Sequence, residues 1–143
     1  MYWVETKDGD PRARELADRH YSRNSKKIGH HLFVGPGERM VLVLPDYSAL
    51  FVWKKEVYRQ DGQAGVACSL FRNESKHLSS DLIREAVRLA EEKWPDERLF
   101  TYVWDEKVRS KNRGFCYVAA GWRKCGRNKD GRLSILELYP EKH

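Results

Sequence analysis

The sequence is poor in cysteine, and none of Cys68, Cys116 and Cys125 stands in a Cys-x-x-Cys pair. An odd number without that spacing points away from a disulfide framework and a zinc knuckle, toward reduced thiols and a cytosolic, cytoplasmic setting. No apolar run approaches the roughly 20 residues that span a bilayer, and the start, Met1 to Asp8, has no secretory apolar core, so no membrane partner is expected. Internal repeats, low-complexity tracts and linkers are lacking too. No Ser-His-Asp or Cys-His grouping is evident, and His20, His30 and His31 with Cys68 show no regular ligand spacing, which argues against a covalent nucleophile and against a metal.

What is present fits one domain over residues 1–143. Hydrophobic residues make up 41% and charged residues 34% of the 143, enough for a core, at a mean hydropathy of −0.76. There are 27 Lys and Arg against 21 Asp and Glu, a net charge of +6 and a pI near 9.3. That excess favours a polyanionic partner, nucleic acid above all, or belongs to a protein that simply is basic.

Asp10-Pro11 opens a first helix through Ala13, Leu16 and Ala17 toward Tyr21, with Asp10 as its cap. A polar, basic loop follows over residues 22–31. Residues 40–44 and 49–53 read as adjacent strands, and after the Asp61-Gly62 turn residues 65–71 read as a third. From Ser79 or Ser80 as N-cap, Leu82, Ile83, Ala86, Leu89, Ala90 and Trp94 form the stripe of an amphipathic helix stopped by Pro95. Arg84, Glu85, Arg88, Glu91 and Glu92 take its wet side. Residues 99–104 are a strand, residues 115–120 a short helix stopped by Gly121, and residues 122–124 and 133–138 a terminal hairpin. Strand-helix-strand implies parallel neighbours, whereas hairpins are antiparallel. The expected class is therefore α+β, layered α/β/α, with one mixed sheet.

Two places can carry chemistry. The stretch from Phe71 to Ser80 joins a strand end to a helix start, where Arg72, Lys76, Ser75, Ser79 and Ser80 surround free N–H groups suited to a phosphate, or form an ordinary capped loop. Asp105, at the end of the next strand, and the segment 112–122 converge on the same cleft if the central strands splay. Tyr117 is a candidate proton donor there, or a half-buried aromatic with a local acceptor. Tyr21, Trp53, Trp104 and Trp122 can stack on an extruded base, or belong to the core.

The element order and the segment Tyr117-Val118-Ala119-Ala120-Gly121-Trp122 resemble the Gcn5-related N-acetyltransferase (GNAT) superfamily. Over residues 71–126, the run from Phe71 to Ser80, the strand ending in Asp105, and Gly114-x-x-Tyr117-x-Ala119-Ala120-Gly121 resemble more narrowly its Mom branch, the phage DNA-modification proteins. The superfamily resemblance implies a sheet splayed between its fourth and fifth strands, holding acetyl-CoA or another acyl-CoA with the pyrophosphate on the following loop. Here the usual Arg/Gln-x-x-Gly-x-Gly/Ala loop is replaced by Lys76-His77-Leu78-Ser79-Ser80. The Mom branch shares such a glycine-poor loop and converts adenine in DNA to a carbamoylmethyl-type derivative.

By this resemblance the chain is expected to be a transferase acting on the exocyclic amine of a nucleobase in DNA, phage-encoded and working in a bacterial host. Arg72, Asn73, Ser75, Lys76, Ser79, Ser80 and Asn112 would position a small-molecule anionic donor. Asp105 would orient or deprotonate the amine, and Tyr117 would protonate a leaving group or orient the donor. Tyr21, placed with them at the catalytic centre, would also address the nucleic acid, together with Arg19, His20, Arg23, Lys26 and Lys27. The alternatives are a conventional acyl-CoA N-acetyltransferase on a small amine or protein, and a non-catalytic nucleic-acid-binding module.

Overall fold

The structure is a computed structural model that describes residues 1–19, 34, 37–56, 61–104, 115–129 and 131–140. The elements run β1 (Val4–Thr6), α1 (Pro11–Asp18), β2 (Glu38–Val43), β3 (Ala49–Lys55), β4 (Val66–Asn73), α2 (Ser79–Lys93), β5 (Leu99–Trp104), α3 (Phe115–Ala119), β6 (Arg123–Arg127) and β7 (Leu133–Leu138). The strands make one mixed sheet in the order β1-β2-β3-β4-β5-β7-β6. Among the described strands only β4 and β5 are parallel, joined by the α2 crossover; the other neighbours are antiparallel.

β2 and β3 are continuous apolar runs because both of their faces are covered. Met40, Leu42, Phe51 and Trp53 point to one face and pack with Leu82, Ile83, Ala86 and Ala90 of α2. Val41, Val43, Leu50 and Val52 point to the other and pack with Ala13, Leu16 and Ala17 of α1. The period-2 alternation of a strand thus divides one hydrophobic run between two cores. Asp10 caps α1 by accepting from the N–H groups of Arg12 and Ala13 at 3.0 and 3.4 Å. It also accepts from the Thr6 and Tyr47 hydroxyls, each at 2.7 Å. Burial works against its charge, but these bonds outweigh burial and hold the Asp10 carboxyl below the usual range.

Three sequence expectations change. Strand β1 was not anticipated, since three residues at a sheet edge carry no readable period. Glu85, expected on the wet side of α2, turns inward and accepts from the backbone N–H groups of Tyr2 and Trp3 at 2.7 and 2.6 Å. It thereby supplies acceptors that the chain before β1 lacks. The indole N–H groups of Trp3 and Trp53 donate to the Leu82 and Ala86 carbonyls, seating α2 on the sheet. The first strand of the terminal hairpin also shifts, as β6 begins at Arg123, with Trp122 buried in the core before it.

Two features fix the sheet around β5. At Gly65, φ is +119° and an added Cβ would run into the Arg98 carbonyl oxygen. That carbonyl accepts from Val66 N–H at 2.8 Å, which starts the parallel ladder. Across the sheet, Glu137 on β7 is 4% exposed and accepts from Arg98 at 2.7 Å and from Arg123 Nε at 2.9 Å. Burial opposes its charge, but the two guanidinium groups hold the Glu137 carboxyl below its ordinary value.

Gly65→Ala combines left-handed strain with a backbone collision and should lower unfolding stability by about 2–4 kcal/mol. Gly131→Ala, where φ is +76° but the space is open, should cost about 1 kcal/mol; urea unfolding of both compares them. A depressed folded-state pKa stabilises above the unfolded carboxylate value and is lost as pH falls through the folded one. Glu137→Gln should therefore cost about 1–3 kcal/mol at pH 7. Its stability should also fall less steeply than that of the parent protein below about pH 4.5, as urea melts across acid pH would show.

Candidate functional site

β4 and β5 pair over three positions, Val66 with Leu99, Ala67 with Phe100 and Cys68 with Thr101, and then part. Both strands continue: β4 stays paired with β3 to Asn73, and β5 with β7 to Trp104. The cause lies in β4. Trp53 faces Cys68 while Val52 faces Leu70, so Ser69 is one residue extra, a β-bulge. A bulge bends its strand and sharpens its twist, which turns β4 away from β5. Ser69 is exposed although it lies in mid-strand in the middle of the sheet. At the fork, the Thr101 hydroxyl donates to the Cys68 carbonyl at 2.9 Å. The Cys68 thiol lies 3.6 Å from the Leu70 carbonyl across the bulge.

The bulge also reverses the facing of β4. Phe71 joins Cys68 on the α2 side of the sheet despite a spacing of three. There Tyr117 of α3 meets both: its phenol oxygen is 3.5 Å from Cys68 Sγ, and its ring stands edge-on to Phe71 at 6.2 Å and to Trp122 at 5.1 Å. Tyr117 is 7% exposed. Its helix is short but fastened. The Trp122 N–H donates to the Tyr117 carbonyl at 3.0 Å, Arg84 of α2 donates to the Ala119 carbonyl at 2.6 Å, and Gly121 takes φ +98° to end the turn. Burial pushes the Cys68 thiol up to about 12, and burial raises Cys116 as well, so the thiol beside the phenol stays protonated at neutral pH.

Beyond the fork, Asn73 organises the loop into α2. Its Nδ2 donates to the His77 carbonyl and the Ser79 hydroxyl at 2.9 and 3.0 Å. Its Oδ1 accepts from the backbone N–H and hydroxyl of Ser75 at 2.9 and 2.5 Å. The expectation of Ser79 or Ser80 as N-cap is corrected: α2 begins at Ser79, and Leu78 holds the cap position with no side-chain bond to the helix. Asn73 has taken the Ser79 hydroxyl instead. Among the described residues the Ser79 and Ser80 N–H groups have no acceptor, and the exposed Lys76 ammonium nearby has no partner. Arg72 does not face this helix start through a free guanidinium; it pairs with Glu74 at 3.0 Å, as does Arg19 at 2.8 Å.

The structure thus sets Tyr117 of α3 against β4 at the fork, and Asn73 with Ser75 and Ser79 on the loop into α2, which also carries Lys76 and Ser80. Asp105, Asn112, Tyr21, His20, Arg23, Lys26 and Lys27 lie outside the described residues. The stacking role suggested for Trp53 and Trp122 is corrected: they are 0% and 2% exposed and stack on each other at 6.2 Å. With Tyr117, Phe71 and Phe51 they close a ring of aromatic contacts under the fork. Among the described residues the Trp122 indole N–H has no acceptor. Thr101 is not singled out from the sequence, and Cys68 is weighed there only as a metal ligand; a bulge leaves no signal in a period-2 pattern, and a single Thr and Cys in apolar runs look like filler. Among the described residues no cluster of His, Cys, Asp or Glu could hold a metal ion, and no helix is long and apolar enough to cross a membrane.

No protein-family model matches the chain, and no curated protein is significantly similar to it. Thiol reactivity tests the geometry of the fork. Iodoacetamide at about pH 8 should label the exposed Cys125 in native protein, while Cys68 should be labelled only after denaturation, as peptide mass spectrometry would read.

Proposed function

We propose that the protein is a GNAT-fold, Mom-like enzyme that modifies the exocyclic amine of a nucleobase, adenine, in DNA. The observation that carries this reading is the fork: a central parallel pair that opens after three positions, with a tyrosine hydroxyl against its inner edge. The strand order, with β7 between β5 and β6, agrees with it. So does the net charge of +6, which suits a polyanionic substrate.

A neutral aromatic amine is a weak nucleophile, so the catalytic work is positioning together with proton transfer. Tyr117 supplies a hydroxyl held by Cys68 and boxed by Phe71 and Trp122, able to orient the donor or give a proton to a leaving group. Asp105 directly follows the last residue of β5 in the chain and is assigned to orient or deprotonate the amine. The donor set at the α2 start, two unsatisfied N–H groups and the Lys76 ammonium, fits an anionic group such as a pyrophosphate. An acyl-CoA, when bound, would supply an acyl group activated as a thioester. Lys76 with the Ser79 and Ser80 N–H groups would hold its charge, while Asn73 and Ser75 keep the loop in shape.

A second reading, a conventional acyl-CoA-dependent N-acyltransferase on a small amine or protein, draws support from the burial of Trp53 and Trp122. With both in the core, neither offers a platform for an extruded base. One experiment separates the two. Nucleosides from the DNA of cells expressing the protein should contain a mass-shifted deoxyadenosine, and Tyr117→Phe should reduce it by about 100-fold or more without loss of folded protein. Unmodified nucleosides beside soluble, folded protein would sink the DNA reading, and acylation of an added amine by the same protein would favour the second.

A further inference from the structure

Two arginines from different elements meet on one carboxylate where β4 ends. Arg19, which follows α1, donates through Nε and a terminal nitrogen to both oxygens of Glu74, at 2.8 and 3.0 Å. Arg72 donates through Nε to the same carboxylate at 3.0 Å and reaches the Arg19 carbonyl at 3.5 Å. Glu74 is itself anchored, since its backbone N–H donates to the Ser48 carbonyl at 2.7 Å. The Arg19 and Arg72 side chains are 48% and 41% exposed.

Pairs this exposed add little to stability, so structure alone does not account for two guanidinium groups on one carboxylate. Their geometry suits a different anion. A guanidinium fork that grips two carboxylate oxygens grips two phosphate oxygens equally well. The triad keeps one positive charge in excess, and the exposed Lys76 adds a second, with no acceptor among the described residues. In the sequence the positive run goes on from Arg19 through Arg23, Lys26 and Lys27. Charge that continues along the chain suits a polymer of phosphates better than a single one.

We propose that Arg19 and Arg72 form a clamp for a backbone phosphate of nucleic acid, and that Glu74 is a built-in competitor occupying the clamp while it is free. This moves Arg72 from the donor side of the site to the nucleic-acid side. It rests on the proposed function for the nucleic-acid partner alone and needs no chemistry at Tyr117. The phosphate displaces the carboxylate, so binding is weaker than the two arginines alone would give. The clamp lies at the end of β4, beyond the fork.

The distinctive consequence is that removing an acidic residue from the triad tightens binding. Anisotropy of a short labelled DNA duplex, titrated at salt between about 50 and 200 mM, reads it. Glu74→Gln should bind about 3- to 10-fold more tightly at low salt, with the slope of log affinity against log salt unchanged within about 0.3, since the same phosphate is gripped with no carboxylate to displace. Arg19→Ala and Arg72→Ala should each bind more weakly, with slopes shallower by about 0.9. Arg88→Ala, on the exposed face of α2, controls for net charge and should change neither by as much. Thermal melts establish that each variant is folded. Unchanged or weaker binding by folded Glu74→Gln overturns the proposal, as does absence of binding by both the parent protein and Glu74→Gln. Tighter binding by Glu74→Gln without any modified nucleoside leaves the clamp standing and removes the proposed chemistry, while modified nucleosides with unchanged Glu74→Gln binding do the reverse.

Discussion

One extra residue in a central strand, Ser69, is the constraint on which the site depends. A regular β4 would have kept its ladder with β5 over the full length of both strands, and a continuous sheet has no opening. With Ser69 inserted, β4 keeps its bonds to β3 by shifting register, and β5 keeps its bonds to β7, so divergence between β4 and β5 is the arrangement that satisfies both flanking ladders. The backbone groups released at the fork are partly recovered by side chains. The Thr101 hydroxyl takes the Cys68 carbonyl, consistent with the cost of leaving buried polar groups unpaired.

The bulge also decides what lines the opening. By reversing the facing of β4 it brings Phe71 onto the face of Cys68, and these two form the wall against which α3 sets Tyr117. Below lie the stacked Trp53 and Trp122, and Trp53 is fixed in turn by its bond to the Ala86 carbonyl of α2. Rigid aromatic packing gives the Tyr117 phenol a defined position against Cys68, while the polar loop beyond the fork leads into a helix start with unsatisfied donors. Such preorganisation supports the proposed reaction of a weakly nucleophilic amine. The base of the fork is held as firmly as its mouth is open. Gly65 lets the Arg98 carbonyl approach, and the Arg98, Glu137 and Arg123 cluster ties β5 to the terminal hairpin.

Much of the architecture was legible in the residues. The apolar runs of β2, β3 and β5, the Asp10-Pro11 start of α1, the stripe of α2 and the hairpin turn before β7 each carry a local signal of period or capping. Their order led to a mixed sheet with helices on both faces. The site was less legible. Ser79 looks like a cap to any local rule, and only the arrival of Asn73 from six residues earlier removes its hydroxyl. Glu85 looks like a solvent residue by helical position, until the chain before β1 is laid against α2 and the Tyr2 and Trp3 N–H groups need acceptors. Trp53 and Trp122 are equally suited to a core and to a binding face, and burial settles that they belong to the core. Arg72 reads as a phosphate ligand in isolation, whereas in the fold it shares a carboxylate with Arg19, which lies 53 positions away.

By itself, then, the chain's order of residues determined the class of fold, its layers, the single parallel connection and the tyrosine at its edge, because period, capping and turn chemistry act between near neighbours. The tertiary structure alone decided where the sheet opens, which way the residues after Ser69 face, and which charged groups are already occupied. A bulge is defined by its partner strand, and a carboxylate or hydroxyl is claimed by whichever group the fold delivers to it; neither event has a counterpart in local sequence.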